Sequence, residues 1–337
     1  MKNQLIKVCQ TGNLDEAKEL LRSHPNIIYY INEQPFRVAC SNGHLEVAKW
    51  LLRVKPYINI PVEKAFRYAC SEGHLEVAKW LLSVKPDIKI SVKDECAFRY
   101  ACSNGHLKVA KWLLSVKPDI YISVENAFRY ACSNGQLEVA KWLLSVKPDI
   151  NISANDECAF LKACFYGHLE VAQWLLQVKP NINISALDEW AFSHSCIYGH
   201  LDVAKWLLRV KPDINISTNN EYTFRWACYC YNGNLEVAKW LLSVKPDINI
   251  STTNECMFQW ACLNGHLEMA RWLQSLKPWL YVIEYDENGK YIDYKVRTKE
   301  EAIWKQRKYA LHLALQEKTN ILYHLPIDIA KMVTLFV

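Results

Sequence analysis

The stretch that decides the fold is residues 65–91, AFRYACSEGHLEVAKWLLSVKPDIKIS. The second part of this stretch, GHLEVAKWLL or a close variant, occurs nine times along the chain. Its copies begin at Gly12, Gly43, Gly73, Gly105, Gly135, Gly167, Gly199, Gly233 and Gly265. The steps between these glycines are 30 to 34 residues long. A period of this length indicates one supersecondary unit per repeat, and each unit buries its apolar side only against its neighbours.

Each repeat predicts two helices that meet at the glycine. Leu75 and Ala78 lie three residues apart in an amphipathic pattern after Gly73, which predicts the second helix. Before the glycine, Phe66 and Cys70 lie four residues apart and predict a shorter first helix. The glycine suits the left-handed conformation that ends the first helix, and the proline of VKPDI closes the second one.

The repeat resembles the ankyrin repeat. GHLEVAKWLL is similar to the GHLEIVELLL segment of that family, and AFRYAC at residues 97–102 stands where the family has TPLHLAA. The resemblance covers about residues 2–278 and implies an all-α, ankyrin-type helical solenoid of about nine repeats. We therefore expect an ankyrin-repeat array over residues 1–278 that binds protein partners, and a small C-terminal segment of a β-hairpin and helices over residues 279–337.

Histidine and cysteine recur at fixed places in the repeat. The histidines are His44, His74, His106, His168, His200 and His266. Packed repeats lie about 10 Å apart, which is too far for two imidazoles to share a zinc ion with bonds of about 2 Å. In the ankyrin family this histidine hydrogen-bonds the neighbouring repeat, and the cysteines from Cys9 to Cys262 align with a buried alanine. We therefore predict structural roles, with no metal and no cofactor.

A row of tryptophans marks the second helices, at Trp50, Trp80, Trp112, Trp142, Trp174, Trp206, Trp240 and Trp272. Such a row can stack bases, so a single-stranded nucleic-acid binder is one alternative. The flanking leucines favour packing instead. Lysines beside the row mostly follow a carboxylate by three positions, and the net charge is only +5. Paired charges of this kind are typical of a solvated face and disfavour nucleic acid as the partner.

The sequence lacks the motifs that mark several functional classes. The chain has no Gly-rich phosphate loop, no GxSxG and no HExxH, so we expect no enzyme and no catalytic residue. No run of about 18 apolar residues predicts a membrane helix, and the beginning of the chain does not read as a signal peptide. We expect a monomeric cytoplasmic protein whose thirteen cysteines are reduced.

The resemblance places the partner-binding surface on the concave side, at the finger tips and at the two residues before each glycine. These two residues are Ser-Asn or Ser-Glu in early repeats and become aromatic in later ones. Grouped exposed aromatic residues are enriched at protein interfaces, although the same rings could cover neighbouring helices. The predicted partner-binding residues are Phe165, Tyr166, Ile197, Tyr198, Tyr229 and Tyr231.

The C-terminal segment departs from the repeat. YVIEYDENGKYIDYKV, residues 281–296, predicts a hairpin around Asn288 and Gly289, and Thr298 with Glu301 predicts a capping box that opens a helix. The last stretch resembles the LPxEIxxxI opening of an F-box, which docks on the Skp adaptor of cullin ubiquitin ligases. The docking residues by this resemblance are Leu325, Pro326, Ile329 and Val333.

Two interpretations of that last stretch stay open. A helix there could instead cover the end of the solenoid, because a terminal repeat must hide an apolar face. Ankyrin arrays that end in an F-box-like helix occur in large DNA viruses, and these repeats resemble the ankyrin proteins of giant viruses of amoebae. That resemblance implies a viral protein acting in the host cytoplasm, either as a scaffold or as a substrate-recruiting ligase adaptor.

Overall fold

Eighteen α-helices form nine consecutive pairs in the part of the chain that the computed structural model describes: residues 2–56, 62–90, 92–118, 124–229, 234–250, 256–298, 300–305 and 308. The first helices are α1 Lys2–Thr11, α3 Glu33–Ser41, α5 Val62–Ser71, α7 Val92–Ser103, α9 Val124–Ser133, α11 Ala154–Phe165, α13 Ala186–Ile197, α15 Thr218–Tyr229 and α17 Cys256–Leu263. The second helices are α2 Leu14–Ser23, α4 Leu45–Val54, α6 Leu75–Val84, α8 Leu107–Val116, α10 Leu137–Val146, α12 Leu169–Val178, α14 Leu201–Val210, α16 Leu235–Val244 and α18 Leu267–Leu276. A 3-10 helix, Pro25–Tyr30, follows the first pair. The predicted all-α repeat architecture is confirmed.

The chain forms two compact units, Met1–Leu187 and Asp188–Val337, with the boundary in the first turn of α13. In the first unit, α1, α3, α5, α7, α9 and α11 pack successively against one another, and each also packs against the second helix of its pair. In the second unit, α15 packs against α17, and each packs against its second helix. The division into residues 1–278 and 279–337 stays a prediction.

The sequence of one repeat explains its helix pair. In α5, Phe66, Ala69 and Cys70 are buried on one side, and in α6 Val77 and Leu81 are buried in the same way. Alanine and cysteine are small, so the helix axes can approach closely while phenylalanine fills the space between them. Full burial of such an apolar side chain contributes roughly 1.5–3 kcal/mol.

A left-handed turn opens α11. Asn155, Asp156 and Glu157 have φ values of 55°, 55° and 64°. Backbone of this kind costs about 1–3 kcal/mol at a residue with a side chain. The buried Glu157 carboxylate accepts a hydrogen bond from the Ser153 hydroxyl and another from the backbone N–H of Asn183, at 3.3 Å. These bonds hold the turn and connect the loops of consecutive repeats.

A β-hairpin follows the last helix pair, as the Asn-Gly signal predicts. Strand β1 is Tyr281–Tyr285 and pairs antiparallel with β2, Tyr291–Val296. The Asp286 carboxylate accepts the backbone N–H groups of Asn288 at 3.0 Å and Lys290 at 2.8 Å, which fixes the turn. The predicted hairpin is therefore confirmed.

The predicted capping box is also present. Thr298 Oγ1 accepts the Glu301 N–H at 3.3 Å, and the Glu301 carboxylate accepts the Thr298 N–H at 2.9 Å. Residues 300–305 are helical.

None of the helices in the described ranges has the length and apolar content needed to cross a membrane.

The hairpin covers the last helix pair. Tyr281 is 1% exposed and stacks on Phe258 with 4.2 Å between ring centroids, and the Tyr294 ring meets Phe258 edge-on at 6.0 Å. Arg297 anchors the end of the hairpin by donating to the carbonyl oxygens of Pro278 at 3.1 Å and Trp279 at 2.9 Å. The phenylalanine of the final repeat is thus covered by the hairpin.

Candidate functional site

The tryptophans of the second helices contact the phenylalanine of the preceding repeat. Ring centroids are 6.2–6.4 Å apart in the pairs Phe36–Trp80, Phe66–Trp112, Phe98–Trp142, Phe128–Trp174, Phe192–Trp240 and Phe224–Trp272. The phenylalanines are fully buried, and the tryptophans are buried or half-buried. Stacking of nucleobases needs accessible ring faces. These rings are used for packing between repeats, which removes the main support for nucleic-acid binding.

His44 and His74 hydrogen-bond the backbone of the preceding repeat, as the resemblance implies, whereas His266 Nε2 is buried with no hydrogen-bond partner among the described residues. His44 Nε2 lies 2.8 Å from the carbonyl oxygen of Gln10, and His74 Nε2 lies 3.0 Å from that of Ser41. Desolvation by burial lowers the pKa of the His74 imidazole, although its bond to the Ser41 carbonyl works in the opposite direction. A neutral imidazole that donates to a carbonyl is a structural link.

The histidine side chain also explains the glycine of the preceding repeat. Gly135 has φ +74°, and a Cβ at this position would lie 2.5 Å from His168 Nδ1. In the eighth repeat, Asn234 replaces the histidine and donates from Nδ2 to the carbonyl oxygen of Ile197 at 2.6 Å. This row of residues therefore serves the contact between repeats.

The repeat cysteines are buried thiols. Burial raises the pKa of Cys9 to about 12 and raises that of Cys164 further. In the lengthened eighth repeat the buried position belongs to Cys228, whereas Cys230 lies outside the described residues. Within the described ranges, no group of three or more His, Cys, Asp or Glu side chains could hold a metal ion.

The lysines of the second helices pair with the glutamate one turn earlier. The distances between Nζ and the carboxylate are 2.7 Å for Lys49–Glu46, 3.0 Å for Lys79–Glu76, 2.9 Å for Lys141–Glu138 and 3.3 Å for Lys239–Glu236. Exposed pairs of this kind contribute little to stability, because water and salt screen them. They leave this face with nearly balanced charge, as the sequence predicts.

A second aromatic row lies on the first helices of the first unit. It consists of Tyr68, Tyr100 and Tyr130, which hold the same position in consecutive repeats and are 43–50% exposed. We call it the tyrosine row. The guanidinium of Arg37 lies 5.4 Å from the Tyr68 ring centroid, and that of Arg99 lies 5.6 Å from the Tyr130 centroid. An arginine of the preceding repeat therefore contacts the Tyr68 and Tyr130 rings, and all three residues of the row keep a large exposed fraction.

The row borders a groove of about 430 Å³ on α7, α9 and α11. We call it the tyrosine groove. It is lined by Arg99, Tyr100, Ser103, Tyr130, Ser133, Asn134, Lys162 and Tyr166. Lys162 holds the repeat position of the tyrosine row, and Tyr166 is 49% exposed one turn further on. Aromatic rings, hydroxyl and amide groups and two cations thus meet in one open groove.

The first helices of the second unit carry their own aromatic cluster. Trp226, Tyr229 and Trp260 meet edge-to-face, with centroid distances of 4.6 Å and 4.8 Å. Trp226 is 37% exposed and Trp260 is 42% exposed. His194 stacks on Tyr198, which is 52% exposed. We call these five residues the tryptophan cluster.

The predicted partner-binding residues fall into different environments. Tyr166 and Tyr198 are exposed, and Phe165 and Tyr229 are half-buried. Ile197 is only 4% exposed, so the structure corrects its place in the predicted site, because its side chain offers little surface to a partner. Tyr231 lies outside the described residues, as do Leu325, Pro326, Ile329 and Val333.

Tyr68, Tyr100, Tyr130 and Lys162 are absent from the predicted site, although the sequence contains their signal. On a helix, residues four apart share a face. Lys162 stands four residues before Tyr166, and His194 stands four before Tyr198. One turn toward the N-terminus from Tyr166 and Tyr198 leads to the row position, which Tyr68, Tyr100 and Tyr130 occupy in earlier repeats.

Comparison with known families agrees with the helix pairs. A family model described as ankyrin repeats (3 copies) matches residues 62–126, 100–188, 128–220 and 191–280, and these matches together cover more than half of the chain. No curated protein sequence matches the chain significantly. The repeat period, the paired helices and the family match lead to one conclusion: the chain belongs to the ankyrin-repeat family.

Proposed function

We propose that the protein is an interaction scaffold whose partners dock on the exposed faces of its first helices. The observation that carries this proposal is the tyrosine row, in which three large aromatic rings at one repeat position remain 43–50% exposed. Aromatic residues and arginine are enriched at the centres of protein interfaces. The tyrosine groove and the tryptophan cluster both present aromatic rings, and the groove also contains Arg99. The proposal assigns no catalytic step.

The test begins with a pull-down of partners and continues with affinity measurements on variants. Replacing an interface tyrosine often costs 2 kcal/mol or more, so Tyr166→Ser combined with Tyr198→Ser should weaken partner binding by about a hundredfold or more if the costs add. Tyr29→Ser is the matched control, because Tyr29 is 77% exposed on the 3-10 helix and belongs to neither surface. Equal losses for the control and the double variant would contradict the proposal.

An alternative function is recruitment of substrates to a cullin-type ubiquitin ligase. It rests on the sequence resemblance of Leu325 to Val333, which lie outside the described residues. One structural observation supports it: Tyr281 and Tyr294 already cover Phe258, so the last helix pair has a cover without the final segment. Binding of purified Skp adaptor to the full chain, and its loss on Leu325→Asp, would support this alternative.

The expected setting is the cytoplasm, with a host cytoplasm if the protein is viral, and the expected state is a monomer. The free thiols of Cys9, Cys164 and Cys196, buried within the fold, support a reducing compartment. Size-exclusion chromatography with light scattering tests the monomer. A dimer at micromolar concentration would contradict that part of the proposal.

A further inference from the structure

The repeat that contributes Lys162 to the tyrosine groove differs in charge from the preceding repeats. Three repeats in succession place tyrosine at the row position, but the next places Lys162 there. In the same repeat, Leu161 stands where the preceding three repeats carry arginine, and it is 4% exposed. The cation of this repeat has therefore moved by one residue along the helix, from the half-buried arginine position to the row position.

The lining of the groove contains two cations and no acidic residue. Arg99 and Lys162 are the cations, and the other six side chains are neutral. Each cation lies near an aromatic ring: Arg99 lies over Tyr130, and Lys162 Nζ is 4.9 Å from the Phe165 centroid. A cation keeps its full positive charge in contact with a ring. Asn134 Nδ2 donates to the Ser103 hydroxyl oxygen at 2.6 Å and to the Ser103 carbonyl oxygen at 3.1 Å, which fixes this polar part of the lining.

The dimensions of the groove suit an extended chain. Packed helices lie about 8–10 Å apart, and an extended peptide rises about 3.3 Å per residue, so about three peptide residues span one repeat. The groove covers three first helices and so spans about six or seven residues. The tyrosine rings offer flat surfaces for apolar side chains, and the two cations offer charge-assisted hydrogen bonds to carboxylates.

The two cations and the absence of acidic residues in the lining complement a negatively charged ligand. Resting on the proposed scaffold function, we infer that the tyrosine groove binds an extended acidic segment of a partner protein. A carboxylate of that segment pairs with Lys162 and another with Arg99. Electrostatic complementarity of this kind contributes more to specificity and association rate than contact area does. The groove therefore selects among partners by their charge.

The experiment uses the full chain and a phage-displayed library of random peptides of about twelve residues, which exceeds the span of the groove. Wild-type protein should enrich peptides that carry Asp or Glu. A selected peptide should lose about tenfold or more in affinity with Lys162→Glu, and it should lose a similar factor when its acidic residue is changed to the amide. Combining both changes should cost much less than the product of the two factors, because they remove the same pair.

Two further variants separate charge from folding. Lys162→Tyr restores the residue that the preceding three repeats carry, so it removes the charge from a position where the fold accepts tyrosine. It should also weaken the acidic peptide. Lys111→Glu is the matched control, because it makes the same charge change on the exposed side of α8, outside the groove, with Lys108 one turn away. It should leave affinity unchanged.

The outcomes distinguish this inference from the proposed scaffold function. Suppose the enriched peptides lose affinity with Tyr100→Ser and Tyr130→Ser but carry no excess of acids, or bind equally to Lys162→Glu. The scaffold function would then stand, and the acidic specificity would be overturned. Enrichment of no peptide whose binding depends on these tyrosines would count against both.

Discussion

The protein carries two aromatic rows with the same period but opposite environments. Trp142 on α10 packs 6.4 Å from the buried Phe98 of the preceding repeat, whereas Tyr130 on α9 of the same repeat is 49% exposed. The second helices repeat their sequence closely, because each must fit the same neighbour. The first helices vary at their exposed positions, from Tyr68 to Lys162 and Trp226. The difference teaches that a row of aromatic residues with the repeat period can serve packing or recognition, and that the exposure of its rings tells the two apart.

The largest effect should come from the packed row. Trp142→Ala removes a half-buried ring and its contact with Phe98, and it should lower the free energy of unfolding by about 3 kcal/mol. Chemical denaturation followed by circular dichroism measures this. Trp142→Phe keeps an aromatic ring and should lose clearly less. An unchanged unfolding midpoint for the alanine variant would break the comparison, because the row would then be free for binding.

The glycines between the two helices should show a graded effect. Gly135→Ala combines a left-handed φ with a Cβ placed 2.5 Å from His168 Nδ1, so it should destabilise by about 2 kcal/mol or more. Gly265→Ala has the same φ of +74° and no atom within 4 Å, so it should cost about 1 kcal/mol from the backbone alone. Equal losses in denaturant unfolding would show that the histidine contact does not hold the repeats together.

The His74 link should make stability depend on pH. Burial lowers the folded-state pKa of His74 below its unfolded value of about 6.5, so the unfolded chain takes up the proton first. The stability that comes from His74 is therefore fully present above about pH 6.5 and is lost as the pH falls through the folded-state pKa. His74→Gln, which introduces the residue that Gln136 already provides at the same repeat position, should flatten the fall in unfolding free energy between about pH 7.5 and about pH 5.5. An equally steep fall in the variant would contradict this role.

The sequence predicts much of the fold because packing repeats itself. Three local patterns predict elements of the fold: the nine glycines, the Phe–Cys spacing and the Asn288–Gly289 turn. The structure confirms these elements. The candidate site is harder to predict from the sequence, because packing against a neighbour does not determine which residue an exposed position carries. Tyr166 and Tyr198 could be found by their departure from the repeat, but Ile197 shares that departure and is buried. The tyrosine row escaped because it is itself repeated, so it resembles a packing residue until its exposure is known.

The cover of the last repeat could be predicted only in part. The hairpin is evident from Asn288 and Gly289, and the need for a cover follows from the open end of any repeat array. That Tyr281 would stack on Phe258 depends on the length and direction of the connection from α18, which no local pattern encodes. A long-range contact of this kind requires the three-dimensional arrangement.

The measurement that tests the central claim most directly compares Trp142→Ala with Tyr130→Ser, because both residues belong to one repeat. For each variant, the unfolding free energy and the affinity for a captured partner are determined under conditions where the protein is folded. The account predicts that Trp142→Ala lowers stability by about 3 kcal/mol and leaves affinity nearly unchanged. It predicts that Tyr130→Ser changes stability by about 1 kcal/mol or less, from the lost contact with Arg99, and weakens binding about tenfold or more. The reverse pattern, with binding lost at the tryptophan and stability lost at the tyrosine, would contradict it.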